Sequence, residues 1–305
     1  MAEITLLDGG MGQELIHRAG DNPTPLWSTQ VMMDFPGLVG EIHKDFAEAG
    51  ATVATTNTYA IHRDRLRSGS NHYASDGQPV AELEHQFEAL LHAAMAEADA
   101  VRGMGRVAGS IGPLGASYRA DLYPDLEVST QLYAEVAGLI APRSDVLLFE
   151  TLPSCLAGQA ALAAGRTTAK PVWLAFTLND SDGTLLRSGE RLEDALQRVS
   201  EADALLVNCS VPEAIPAALD VLATVGPAFG AYANGFTKIE DAFIKGGTTV
   251  AALSARQDLS PTIYAEHAMR WIEQGATLIG GCCEVGPAHI REIARQAAAA
   301  GHILI

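Results

Sequence analysis

The sequence predicts an α/β chain folded as a single-domain (β/α)8 TIM barrel over residues 1–305, and three observations predict it. Short apolar, β-branched runs alternate with longer helical stretches, and the alternation repeats eight times, as a closed parallel barrel requires. No G-x-G-x-x-G follows the first run, which disfavours an open dinucleotide-binding sheet. No low-complexity linker divides the chain.

The eight strands are expected at residues 4–8, 51–56, 106–110, 145–150, 171–177, 204–208, 228–233 and 276–280. Each is followed by apolar spacing of the helical period, for example Leu192, Ala195, Leu196 and Val199, or Ala265, Ala268, Met269 and Ile272. Several helices end in glycine and run straight into a strand, the C′ position of a helix that turns sharply. Glu48-Ala49-Gly50-Ala51-Thr52 and Glu273-Gln274-Gly275-Ala276-Thr277 are near copies of that junction. Residues 64–80 and 234–258 read as long loops after strands two and seven.

Composition narrows the function classes. A 48% hydrophobic content with 6% aromatic residues fits a globular chain with a large core rich in small side chains. The formal net charge of −17 disfavours nucleic acid and anionic membrane surfaces, both of which need a concentrated basic patch, and leaves a small molecule as the expected partner. The N-terminus lacks a basic segment followed by an apolar one, and no long uncharged apolar run occurs, so a cytoplasmic location is expected. Four cysteines are too sparse for a disulfide framework and are expected to be reduced, buried or metal-bound.

In a barrel of this kind the reactive site lies at the carboxyl ends of the strands. Those ends carry Asp8-Gly9-Gly10, Thr55-Thr56-Asn57, Glu150-Thr151, Asn208-Cys209 and Gly281-Cys282-Cys283. Thiolates bind Zn2+ in a tetrahedron, so Cys209, Cys282 and Cys283 on one rim are candidate metal ligands. Neighbours on a regular strand point to opposite faces, so Cys282 and Cys283 can share an ion only where the strand breaks, and Gly280-Gly281 is expected to supply that backbone freedom. Rim position alone leaves this reading beside two others, a strained vicinal disulfide and simple buried thiols. Cys155 reads as a small buried hydrophobe. Three protein ligands would leave the fourth position open, and a substrate thiol, deprotonated there, would become a nucleophile.

In order along the chain, Asp8-Gly9-Gly10, Gly109-Ser110-Ile111-Gly112-Pro113-Leu114-Gly115, Glu150-Thr151, Asn208-Cys209 and the block from Gly280 to Ile290 with its Gly-Gly-Cys-Cys core resemble the homocysteine S-methyltransferase family. That resemblance implies a barrel enzyme with Zn2+ on Cys209, Cys282 and Cys283, which are also the catalytic residues. It implies that Asp8 and Glu150 hold the homocysteine ammonium, a role suited to carboxylates because a charged amine leaving water needs a paired anion. The N–H groups of Gly9 and Gly10 are then expected to face the substrate carboxylate. Thr55, Thr56 and Asn57 either line the amino-acid pocket or satisfy loop backbone. Asn208 is expected to orient the adjacent loop, and His289 to pack on its helix.

The resemblance implies transfer of a methyl group to homocysteine, giving methionine, from an onium donor such as S-methylmethionine, S-adenosylmethionine or a betaine. The cobalamin-linked branch of the family uses far larger chains. Trp27, in Pro25-Leu26-Trp27-Ser28, offers either an aromatic face to the donor cation or a plug over the barrel mouth. Thr55-Thr56-Asn57-Thr58-Tyr59 departs from the S-methylmethionine type and is closer to the cobalamin-linked one, and Tyr232-Ala233-Asn234-Gly235-Phe236 lacks the Pro-Asn-Ser-Gly form common in the family, which leaves the donor open. Two rivals stand beside this reading. A Schiff-base aldolase needs a lysine at a strand end, whereas Lys170 precedes strand five and Lys238 and Lys245 lie in a loop; a regulatory protein would bind zinc and homocysteine without catalysis. Self-association into a homo-oligomer is left open.

Overall fold

The computed structural model describes residues 1–21, 24, 26–67, 83–237, 239 and 253–305. Ten strands are present among them: β1 (Glu3–Leu6), β2 (Val53–Thr55), β3 (Arg106–Ile111), β4 (Val146–Leu152), β5 (Val172–Asn179), β6 (Asp182–Leu186), β7 (Ala204–Asn208), β8 (Ala228–Tyr232), β9 (Leu278–Ile279) and β10 (Ile303–Leu304). The sheet runs in the order β10-β1-β9-β8-β7-β5-β4-β3-β2, with β6 antiparallel on β5 and the other pairs parallel. Closure comes at β1 and β2. Leu7 and Val53 form a parallel bridge, the Thr52 N–H donates to the Leu6 carbonyl at 2.7 Å, and the Asp8 N–H donates to that of Val53 at 3.1 Å. All eight predicted strands are therefore staves of one barrel.

Side chains alternate between two cores, as the strand period demands. Val146, Leu148, Ala204 and Leu206 fill the barrel with Leu7, Val53 and Trp173, whereas Leu147, Phe149, Leu205 and Val207 pack outward against the helices. Burial on both faces is why these strands read as unbroken apolar runs.

The helices are α1 (Met11–Arg18), α2 (Trp27–Asp34), α3 (Leu38–Glu48), α4 (Arg63–Leu66), α5 (Phe87–Glu97), α6 (Leu126–Ile140), α7 (Cys155–Gly165), α8 (Leu192–Arg198), α9 (Ile215–Leu222), α10 (Pro261–Glu273) and α11 (Pro287–Ala299). Asp125, Ser154 and Ser260 cap α6, α7 and α10 by accepting a first-turn N–H. The two copied junctions have one geometry. Gly50 and Gly275 lie at φ +110° and +99°, and the next N–H, of Ala51 or Ala276, returns to the carbonyl of Phe46 or Trp271.

Three features differ from the expectation. Residues 63–66 form the short helix α4 at the start of the first expected loop, and the remainder of that loop from residue 68, like most of 234–258, lies outside the described residues. The strand β6 is a hairpin partner added to β5, too polar in Asp182-Gly183-Thr184 to read as a strand from its own residues. The two-residue strand β10 pairs with Glu3 and Ile4, leaving Thr5 and Leu6 to β9. No helix among the described residues is long and apolar enough to cross a membrane.

Candidate metal centre and amino-acid pocket

The carboxyl ends of the strands open into a cavity. Asp8, Gly9, Gly10, Trp27, Thr55, Asn57, Glu150, Cys209, Cys282 and Cys283 all line it, together with Thr56 and Thr151. Strand ends spread over most of the sequence thus converge on one space.

The three sulfurs lie within 4.8 Å of one another. A soft dication bound at about 2.3 Å would set tetrahedral sulfurs about 3.8 Å apart, so the trio fits a single ion after a small spreading of Cys209 and Cys282 from their 2.9 Å contact. Cys209 follows β7 directly, and its φ of +50° turns it out of strand geometry. Such a conformation in a non-glycine residue is held only where its surroundings enforce it. β9 stops at Ile279, and the next residues leave the ladder: the Cys282 N–H donates to Ala233, the Val285 N–H to Cys282, and the Gly235 N–H to Cys283. That turn lets both neighbouring sulfurs face the cavity.

The expected role of Gly280-Gly281 is corrected. Neither has a positive φ; the left-handed residue of the turn is Glu284, at φ +64°. The two glycines supply space, since a Cβ on Gly281 would sit 2.1 Å from Val285 Cγ1 and one on Gly280 2.7 Å from Leu7 Cβ. In the absence of a cation three clustered sulfurs cannot all be charged. Hydrogen bonds from Cys282 and Cys283 hold the Cys209 thiol well below the ordinary thiol range, and the same bonds push the other two up. Cys155 lies elsewhere, buried at the start of α7, its thiol pushed up to about 12 by burial.

Asp8, two residues past β1, and Glu150, in β4, both line the cavity. Asp8 accepts hydrogen bonds from the N–H and hydroxyl of Thr55, both at 2.7 Å. Glu150 accepts from the Ser110 hydroxyl, from Tyr232 Oη at 3.1 Å and from Asn208 Nδ2 at 3.4 Å. Burial pushes the Asp8 carboxyl up to about 8, with repulsion from Glu150 adding to it, and pushes Glu150 up to about 7. Among the described residues no lysine or arginine lines this cavity. Two buried carboxylates without a cation form a site for one.

The Gly10 N–H does not face the cavity, contrary to expectation. It donates to the Val285 carbonyl at 2.9 Å. A Cβ on Gly9 would meet Val285 O at 1.9 Å and one on Gly10 would meet Cys282 O at 2.6 Å, so these glycines let the first loop lie against the cysteine turn. Thr55 spends both its hydroxyl and its N–H on Asp8, and Asn57 donates to the Ser28 carbonyl at 3.4 Å. Trp27 packs over Gly12, donates from Nε1 to Gln13 Oε1 at 3.1 Å, and meets Tyr59 edge-on with ring centroids 5.8 Å apart.

Asn208 braces β4 by accepting from the Thr151 N–H and donating to Thr151 Oγ1. His289 packs against Tyr264 and bonds the Leu259 carbonyl and Gly286 N–H, away from the sulfurs. Sequence reading missed Gln13, Ser110 and Tyr232 as site residues. Ser110 and Tyr232 stand at strand ends, so the rim rule applied to every strand would have found them. Lys170 is not among the residues lining the cavity, and Lys238 and Lys245 lie outside the described residues.

Residues 5–297 match the family model described as homocysteine S-methyltransferase. The homocysteine S-methyltransferase of Escherichia coli (strain K12) is 32% identical over 307 residues, covering 94% of this chain and 93% of its own. Homocysteine S-methyltransferase 4 of Zea mays is 28% identical over 317 residues, covering 95% of this chain and 88% of its own. Among solved structures, the metallated form of the Escherichia coli homocysteine methyltransferase MmuM is similar with a TM-score of 0.74, at 27% identity and with 96% of each chain covered.

Proposed function

The chain belongs to the homocysteine S-methyltransferase family, and from that premise we propose that it methylates homocysteine to methionine from an onium donor, using Zn2+ held by Cys209, Cys282 and Cys283. The observation that carries this reading is one cavity holding three clustered thiols beside two buried, uncompensated carboxylates. When bound, zinc on three thiolates supplies an open fourth position and draws a substrate thiol into its nucleophilic thiolate form at neutral pH.

The chain's own residues do the rest. Asp8 and Glu150 clamp the substrate ammonium, Thr55 fixing the first and Ser110, Asn208 and Tyr232 the second. With the Gly10 N–H engaged, the substrate carboxylate is left to Gly9 and to the first-turn N–H groups of α1 at Gly12 and Gln13, which have no intrahelical acceptor. Trp27 and Tyr59 give the cavity mouth an aromatic face and edge suited to the donor cation. Departure of a neutral product from the onium donor needs no strong acid, so alignment and nucleophile activation carry the rate. Reduced thiols must persist for this chemistry, which favours the cytoplasm as its compartment.

Cys209→Ser, Cys282→Ser and Cys283→Ser are each expected to lose bound zinc and methionine formation together, measured by metal analysis and by product assay with homocysteine and a panel of sulfonium and betaine donors. Full turnover by a metal-free variant would overturn the mechanism. A zinc-loaded wild type that makes no methionine from any donor would instead be a binding protein.

A further inference from the structure

The hairpin β5–β6 adds an element beyond the eight staves, and its far end reaches the metal centre. Asp180, in the hairpin turn, and Arg187, just past β6, form a buried ion pair with contacts of 3.1 and 3.2 Å, the two side chains 3% and 8% exposed. A buried ion pair is weak evidence for stability by itself, which raises the question of what it holds. The Arg187 guanidinium lies 5.3 Å from the centre of the Tyr118 ring. Tyr118 is buried at φ +68°, a conformation a bulky residue keeps only under external constraint, and its hydroxyl donates to Cys209 Sγ at 3.2 Å.

The same hairpin grips the Cys209 backbone. Thr177 Oγ1 donates to the Cys209 carbonyl at 3.2 Å, and the Asp180 carboxylate accepts the N–H groups of Val211 and Ile239 at 3.2 and 3.0 Å. Tyr118, Cys209, Phe236 and Ile239 close into one apolar cluster around this sulfur, so the phenol is a donor to it in a water-poor setting.

We propose that Tyr118 is a positioning residue of the metal centre, holding and polarising the Cys209 sulfur by its hydroxyl, and that the Asp180–Arg187 pair of the hairpin holds Tyr118 in place. A hydrogen bond to a ligand thiolate fixes its rotamer and draws electron density from sulfur, and loss of such a partner typically weakens metal binding about 10–100-fold. This rests on the reading of the three cysteines as metal ligands, so the test separates the two.

Zinc affinity is measured by competition with a chromogenic chelator, and Co2+-loaded protein is followed by its sulfur-to-metal charge-transfer absorption. For Tyr118→Phe, with thermal unfolding confirming the fold, one equivalent of metal is expected at about 10–100-fold weaker affinity, with the charge-transfer band at longer wavelength. The double variant Asp180→Asn, Arg187→Met is expected to shift both readings the same way by less, and carries the test where Tyr118→Phe does not fold. Wild-type affinity and an unmoved band in the variants would overturn this inference alone. A wild type that takes up no metal would overturn the cysteine reading and this inference with it.

Discussion

At the scale of single residues, burial governs the charge that the cavity carries. Asp8 and Glu150 are raised to about 8 and 7, chiefly by burial, from ordinary values of 3.8 and 4.5. Their folded values exceed their unfolded ones. The stability they contribute is therefore present below about pH 4 and is lost as pH rises through 7 to 8, where the empty cavity must carry buried charge. Asp8→Asn is accordingly expected to stabilise the substrate-free protein at pH 8 by roughly 1–3 kcal/mol, read from chemical denaturation. The same change should raise KM for homocysteine about 100-fold, because the ammonium loses a desolvated charged partner. A variant that is neither more stable nor weaker in substrate would show that Asp8 does not face the ammonium.

At the scale of elements, the strand-one loop and the cysteine turn behave as one packed unit. Gly9→Ala drives a Cβ toward the Val285 carbonyl, and Gly10→Ala toward that of Cys282. Each is expected to lower stability by roughly 2–3 kcal/mol and to reduce metal stoichiometry, since neither contact is the yielding tip of a side chain. Gly138, inside α6, is the contrast: a Cβ there meets nothing within 4 Å. Gly138→Ala should stabilise the protein by roughly 0.5–1 kcal/mol through helix propensity, without touching metal content. Equal stability changes at Gly9 and Gly138 would contradict the packing account.

For the whole molecule, stability against pH is a balance between two buried sets. His43 and His62 are lowered to about 4 by burial, and neither ring nitrogen of His43 has a hydrogen-bond partner among the described residues. Folded values below the ordinary 6.5 mean stability that is present above pH 6.5 and lost as pH falls toward 4. Over that window the histidines offset the opposite slope of Asp8 and Glu150. The substrate-free protein should therefore vary little in stability between about pH 4.5 and 6.5 from these groups, then weaken toward pH 8. His43→Leu removes one of the two histidines from that balance. Its stability relative to wild type should improve steadily on acidification, by roughly 1–3 kcal/mol near pH 4, in denaturation series across pH; a pH-independent difference would sink this account.

Much of this protein is legible in its residues because the signals are local. Apolar runs of strand length, helical spacing and C′ glycines mark all eight staves, and once a barrel is inferred the rim rule gathers Asp8, Glu150 and three cysteines separated by up to 74 residues into one cavity. Chemistry is local too: a thiol or carboxylate carries its ligand preference wherever it lies. Tertiary structure alone decided that the Gly10 N–H belongs to Val285, that Gly280 and Gly281 provide room rather than dihedral freedom, and that burial lifts two carboxyls toward neutrality. It alone set the Tyr118 hydroxyl against Cys209 and added to β5 a hairpin partner whose polar strand carries no local signature. Hydrogen-bond partners, interatomic room and desolvation are properties of what surrounds a residue in space, and only the closed barrel determines those surroundings.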